Sequence, residues 1–170
     1  ILADDMGLGK TIQSIAYLLS EPSDVPHLIV VPSSVVYNWR NEFAKFAPSL
    51  KVAVIVGTKE ERQQLIETEI EADVWITSYG TARQDIEWYR DLRFNVLLLD
   101  EAQYIKNYAT KTSQAMRQIK AKNRFALTGT PIENSLHELW SIFQVILPGF
   151  MPSEREFNKW PPEKVAKLIR

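Results

Sequence analysis

Asp4-Asp5-Met6-Gly7-Leu8-Gly9-Lys10-Thr11 is a glycine-bearing turn that runs directly into an amphipathic stretch. Glycines let a backbone curl until successive N–H groups face inward, where they bind phosphate oxygens with help from the helix N-terminus that follows. In such a loop Lys10 reaches the β- and γ-phosphates and the Thr11 hydroxyl ligates Mg²⁺. The whole stretch from Asp4, Asp5 and Met6 through Gly7, Leu8 and Gly9 to Lys10 and Thr11 is thus a candidate ATP-binding segment. A phosphate loop normally joins a buried parallel strand to a helix, so its reading decides the fold. The strict pattern has glycine where this chain has Asp4, which leaves a plain Gly-rich turn before an ordinary helix as the competing reading.

Working outward, short β-branched or apolar runs alternate with amphipathic stretches. The runs are Leu28–Val31, Val52–Val56, Val74–Thr77, Val96–Leu99 and Arg124–Leu127. They are nearly continuous rather than alternating, as in strands buried on both faces of a parallel sheet. Helical spacing is expected over 11–20, with Ile12, Ile15, Ala16 and Leu19 on one face, and over 34–46, with Trp39 as a core anchor. Further helices are expected over 110–119, 133–147 and 163–169. Alternation of this kind predicts a doubly wound α/β domain. Pro148-Gly149 closes the last strong helix, so the domain spans 1–150 and residues 151–170 form a connector or helical appendage. Only Ile1-Leu2-Ala3 precede the loop, so the chain is expected to be an excised piece with a truncated first strand.

Two further segments fall at strand ends. Asp100-Glu101-Ala102-Gln103 follows Val96-Leu97-Leu98-Leu99, at the carboxyl edge where open α/β sheets place their ligands. A carboxylate there can hold Mg²⁺ (Asp100), and a second can orient and deprotonate water (Glu101). Thr128-Gly129-Thr130-Pro131 follows another strand, and its hydroxyls can hydrogen-bond the acidic box and couple it to nucleotide state. Alone, that segment is also a plain Gly-Pro turn.

Composition bounds the rest. The chain has 170 residues, 45% hydrophobic and 24% charged, with a net charge of -1 and no cysteine. Bulk charge gives no argument for nucleic acid, so any grip on DNA must come from a local patch or from positioned donors. Disulfide, zinc-thiolate and iron–sulfur chemistry are excluded, and a reducing compartment is compatible. No apolar run is long enough to span a bilayer. His27 and His137 are expected to be surface or helix residues rather than ligands. Lys59-Glu60-Glu61-Arg62 is expected to start a solvated helix. Trp75, Trp88, Trp140 and Trp160 are expected to pack in core and connector.

Taken in order, these segments resemble superfamily 2 helicase-type ATPases, specifically the Swi/Snf-type branch. The resemblance runs from Ile1 to about Met151. Asp4 to Thr11 is similar to that branch's first motif, where an acidic residue at Asp4 is usual. Val31-Pro32-Ser33-Ser34 through Trp39 to Glu42, Ile76-Thr77-Ser78-Tyr79, Asp100 to Asn107 and Leu127 to Asn134 resemble the segments that follow.

The resemblance implies a three-layer RecA-like lobe of the P-loop NTPase class, with a mostly parallel sheet and helices on both faces. It implies ATP hydrolysis with Mg²⁺, coupled to movement along double-stranded DNA in the intact, intracellular protein. Lys10, Glu101 and Gln103 form the expected catalytic set, Thr11 and Asp100 the metal set, and Thr128, Gly129 and Thr130 the coupling set. Pro32, Ser33, Ser34, Thr77, Ser78 and Tyr79 are the expected DNA contacts, and Lys106 is either a further one or a solvated charge. Partners are the DNA backbone, a second RecA-like lobe supplying arginines to the γ-phosphate, and other proteins, but no membrane. Without that lobe, the chain alone is expected to bind ATP weakly and hydrolyse little. The alternatives are a catalytically idle DNA- or protein-binding module, or the motor lobe of another superfamily 2 enzyme.

Overall fold

In the computed structural model of the chain, residues 2–3, 9–129 and 136–169 are described. Among these residues six strands, β1 (Leu2–Ala3), β2 (His27–Val31), β3 (Val52–Val54), β4 (Val74–Ser78), β5 (Arg93–Leu99) and β6 (Lys120–Thr128), form one sheet. Their order is β1-β6-β5-β2-β4-β3, and every pairing is parallel. The doubly wound α/β expectation is met. Each strand run is where the apolar pattern placed it. The third is shorter, at Val52–Val54, although the Ile55 N–H still donates to Ile76 O at 2.8 Å.

Alternation along each central strand builds two separate cores. Ile29, Val31, Val74, Ile76, Val96 and Leu98 point to one face. There they meet helix α1 (Lys10–Leu19) through Ile15 and Leu18, and α2 (Val36–Phe46) through Val36, Trp39 and Phe43. Leu28, Val30, Trp75, Leu97 and Leu99 point to the other. That face is covered by α3 (Lys59–Thr68), α4 (Tyr79–Gln84), α5 (Ile86–Tyr89), α6 (Lys111–Gln118) and α7 (Leu136–Ile146). Burial on both faces explains the continuous apolar runs: β2 and β4 are buried at all five positions. Residues 151–169 add α8 (Glu154–Phe157) and α9 (Pro162–Ile169), whose Phe157 and Val165 enter the second core. Trp75 is buried and Trp88, Trp140 and Trp160 pack against this same core, as expected. Among the described residues, no helix is long and apolar enough to cross a membrane.

Several local expectations need correction. On α1 the buried residues are Ile15 and Leu18, while Ile12 and Leu19 are 45% exposed. The rotation follows from Lys10 being the first helical residue and facing inward. His27 is neither on the surface nor in a helix; it opens β2 and is buried. Lys59 does start a helix, with a capping box between Thr58 and Glu61. That helix is not fully solvated, because Arg62 is buried against Asp85. Residues 34–46 begin as a 3-10 turn (Ser33–Val35) before α2 proper.

Candidate nucleotide site at the carboxyl edge

Parallel strands all present their carboxyl ends to the same edge, and the site lies there. Gly9 caps α1 with φ 82°, a left-handed conformation that strains any residue with a Cβ. It delivers Lys10 and Thr11 into a cleft of about 500 Å³. The opposite wall is Asp100 and Glu101, just past β5. Asp4, Asp5, Met6, Gly7 and Leu8 of the expected phosphate loop lie outside the described residues, as does Thr130. The structure therefore brings Lys10 and Thr11 together with the acidic pair across nearly ninety residues of chain, at the carboxyl edge where open α/β sheets place their ligands.

Asp100 is held from four directions. Its N–H donates to Val30 O at 2.9 Å, tying it to the end of β2. Its carbonyl accepts from the Tyr79 hydroxyl at 2.6 Å. Oδ2 accepts from the Trp39 indole Nε1–H at 2.9 Å, and Oδ1 accepts from the Glu101 N–H at 2.9 Å. Burial pushes the Asp100 carboxyl above its ordinary value, and the neighbouring Glu101 charge pushes the same way. The Trp39 and Glu101 N–H donors and the positive Lys10 oppose that rise.

Glu101 has φ 54° and ψ 63°, making it the one non-glycine residue with positive φ among those described. Such a backbone costs on the order of 1–3 kcal/mol and persists only where its surroundings enforce it. The turn redirects the chain from β5 into a 3-10 turn (Ala102–Ile105) while leaving the Glu101 side chain at the cleft. Gln103 Nε2 donates to Glu101 Oε2 at 2.7 Å. Gln103 Oε1 is buried with no hydrogen-bond partner among the described residues.

The other expected site residues separate by exposure. Ser33 and Ser34 are exposed and Pro32 is half-buried, at the turn between β2 and α2. Lys106 is exposed, with Nζ 3.9 Å from Glu138 Oε1. Thr77, Ser78 and Tyr79 are buried, and their hydrogen bonds are internal. Thr77 Oγ1 donates to Ile55 O at 2.9 Å, and Ser78 caps α4. These three do not present a free surface for DNA. Thr128 ends β6 and is buried, with Gly129 half-buried beside it.

Sequence reasoning missed the α2 wall of the cleft. Asn38, Trp39, Asn41 and Glu42 line it, one polar flank of a helix whose other flank packs in the core. Trp39 is a core residue, as its spacing implied, yet its polar tip reaches the acidic box. The available signal was chemical: a buried tryptophan N–H needs an acceptor.

Comparison with known proteins gives one consistent answer. The SNF2-related domain family matches residues 1–168. Helicase ssl-1 of Caenorhabditis elegans is 45% identical over 167 residues, which cover 94% of this chain and 7% of the relative. The putative ATP-dependent helicase/translocase YwqA of Bacillus subtilis is 47% identical over 163 residues, covering 93% of this chain and 18% of the relative. The solved SWI2/SNF2 ATPase core of Sulfolobus solfataricus in complex with dsDNA superposes with a TM-score of 0.80 at 39% identity. That match covers 98% of this chain and 35% of the solved one. The chain thus spans less than a fifth of the length of these two relatives.

Proposed function

Because the chain belongs to the SNF2-related domain family, we propose that it is the ATP-binding lobe of a motor that moves along double-stranded DNA. The observation that carries this reading is the meeting of Lys10 and Thr11 with Asp100 and Glu101 around one cleft. Lys10 supplies positive charge to the outer phosphates. Glu101 orients and deprotonates the attacking water, and Gln103 holds the Glu101 carboxylate in place. Thr11 and Asp100 would hold Mg²⁺. One hydroxyl and one carboxylate fit that ion, which keeps most of its coordination for water and phosphate oxygens. Bound there, it would neutralise charge building on the transferred phosphoryl group. Thr128 ends the neighbouring strand and Gly129 follows it; together with Thr130, which lies outside the described residues, they couple the acidic box to the rest of the motor.

The proposed DNA contacts narrow to Pro32, Ser33, Ser34 and Lys106. With a net charge of -1, the chain grips phosphates through such positioned groups and not through a basic field. Thr77, Ser78 and Tyr79 shape the same edge from beneath. A second lobe supplies the cationic groups that complete catalysis, so the chain alone binds ATP weakly and turns it over slowly. Brisk DNA-stimulated turnover by the isolated chain would overturn that last point.

Nucleotide titration of the parent beside Lys10→Ala tests the lead reading. Loss of affinity by tenfold or more, about 1.4 kcal/mol, supports a working ATP site. Equal affinities would show an idle module instead.

A further inference from the structure

Asp100 is gripped by two buried aromatic donors that come from different parts of the chain. Trp39 donates to its carboxylate and Tyr79 to its carbonyl. Each donor is attached to an exposed strip at the carboxyl edge. Trp39 lies on α2, one and a half turns past the exposed Ser33-Ser34 turn that opens the helix. Tyr79 stacks flat on Tyr104, with ring centroids 4.8 Å apart and planes 2° from parallel. Tyr104 is 48% exposed and lies two residues before Lys106. A load placed on either strip therefore has a short, rigid route to one carboxylate.

We infer that Trp39 and Tyr79 are positioning residues that transmit occupancy of the Ser33-Ser34 and Tyr104–Lys106 strips to Asp100, so that DNA binding sets the geometry of the nucleotide site through these two hydrogen bonds. This rests on the motor reading proposed above. The physical case is one of stiffness. Both rings are buried, Trp39 at 3% and Tyr79 at 3% exposure, and close-packed interiors pass on displacement instead of absorbing it. The two hydrogen bonds fix different atoms of Asp100, so a shift of α2 relative to the Tyr79–Tyr104 stack rotates the carboxylate about its own backbone. Glu101 moves with it, because its N–H is bonded to Asp100 Oδ1.

The test uses the intact protein that carries this chain, with Trp39→Phe and Tyr79→Phe. Tyr79→Phe removes only the hydroxyl, whereas Trp39→Phe removes the indole N–H together with part of the ring's volume. Trp75→Phe is the control: it also removes a buried indole and its donor, the one to Glu69 O at 3.1 Å, but in the core on the other face of the sheet and not among the residues that line the cleft. Two quantities are read. One is the ratio of ATP turnover with and without double-stranded DNA. The other is the ratio of DNA Kd with and without a non-hydrolysable Mg·ATP analogue, since coupling between two ligands is reciprocal. Both ratios are expected to fall toward one in Trp39→Phe and Tyr79→Phe, by about tenfold where the parent ratio allows, and to stay at the parent value in Trp75→Phe. Parent-like ratios in both cleft variants would overturn the inference while leaving the motor reading intact. A fall of the same size in Trp75→Phe would also overturn it, by showing a general packing effect. A parent that shows neither DNA stimulation nor linkage would overturn the motor reading and the inference together.

Discussion

Arg62 holds Asp85 through both carboxylate oxygens, Nε to Oδ2 at 2.6 Å and Nη2 to Oδ1 at 2.8 Å, with both side chains buried. The guanidinium also donates to Gly57 O at 2.8 Å. One arginine therefore ties α3 to the junction of α4 and α5 and to the turn before α3. A bidentate buried pair of this type is costly to break from one side, because the survivor is left charged and unpaired. Asp85→Ala is expected to destabilise the chain by about 3–5 kcal/mol. Arg62→Met with Asp85→Leu together should recover most of that loss. Chemical denaturation of the single and double variants checks it, and a double variant no better than the single would refute the account.

Arg124 has a different task. It donates from Nη1 to Met116 O at 3.4 Å and Val145 O at 3.3 Å, and from Nη2 to Ile119 O. These carbonyls belong to the last turns of α6 and α7, where helices leave acceptors without partners. Burial pulls the guanidinium pKa down, but an arginine still stays charged. Arg124→Met should cost about 2–3 kcal/mol, because buried carbonyls lose a charged donor. In thermal unfolding this reads as a drop of about 5–10 °C. A change under about 1 °C would show that water replaces the guanidinium at no penalty.

The backbone at Glu101 can be separated from its carboxylate. Glu101→Gly and Glu101→Val both remove the acid, so both should abolish ATP turnover, by roughly a hundredfold or more. They differ in how they tolerate φ 54°. Valine should melt lower than glycine by the equivalent of about 2 kcal/mol. Equal melting temperatures would mean that the backbone relaxes once the side chain is gone.

His27 gives the chain a pH dependence. It is buried, its Nδ1 has no hydrogen-bond partner among the described residues, and burial lowers its pKa below the ordinary 6.5. The carbonyl of Glu21 and the charges of Asp73 and Glu21 oppose that shift without reversing it. The unfolded chain then binds the proton more readily than the folded one. Stability from this group is complete above about pH 6.5 and declines as pH falls toward the lower folded value. The parent should melt lower at pH 5.5 than at pH 7.5, and His27→Val should flatten that dependence. An unchanged slope in the variant would assign the effect to other groups.

Much of the fold could be read from the chain because each strand carries its own signal. Leu28–Val31 and Val96–Leu99 are apolar at consecutive positions, and only a strand buried on both faces requires that. Asp100 could be placed at the cleft for the same reason, as the first polar residue after such a run. What sequence could not show was contact across distance. Trp39 and Asp100 are 61 positions apart, and nothing local distinguishes an indole that ends in core from one that ends on a carboxylate. Lys59-Glu60-Glu61-Arg62 has the composition of a solvated surface, and nothing local points from Arg62 to its acceptor, Asp85, 23 positions away. The resemblance sets Thr77, Ser78 and Tyr79 near the DNA backbone, while in the structure they are buried and their hydroxyls are occupied in holding the edge together.

Leu2 pairs with Leu127 and Ala3 with Thr128, so the strand that precedes the proposed phosphate loop docks on β6. During synthesis the landing place of that strand emerges about 125 residues after it, a delay of about 6–25 seconds at ordinary elongation rates. Until then β1 has no strand to pair with. Its docking is therefore among the last steps in building the sheet, after the β2–β5 and β2–β4 pairings that can form without it. Nascent chains stalled before Leu127 has emerged from the ribosome should carry the β2–β5 and β2–β4 pairings without retaining ATP, and emergence of the rest of β6 should be enough to confer retention.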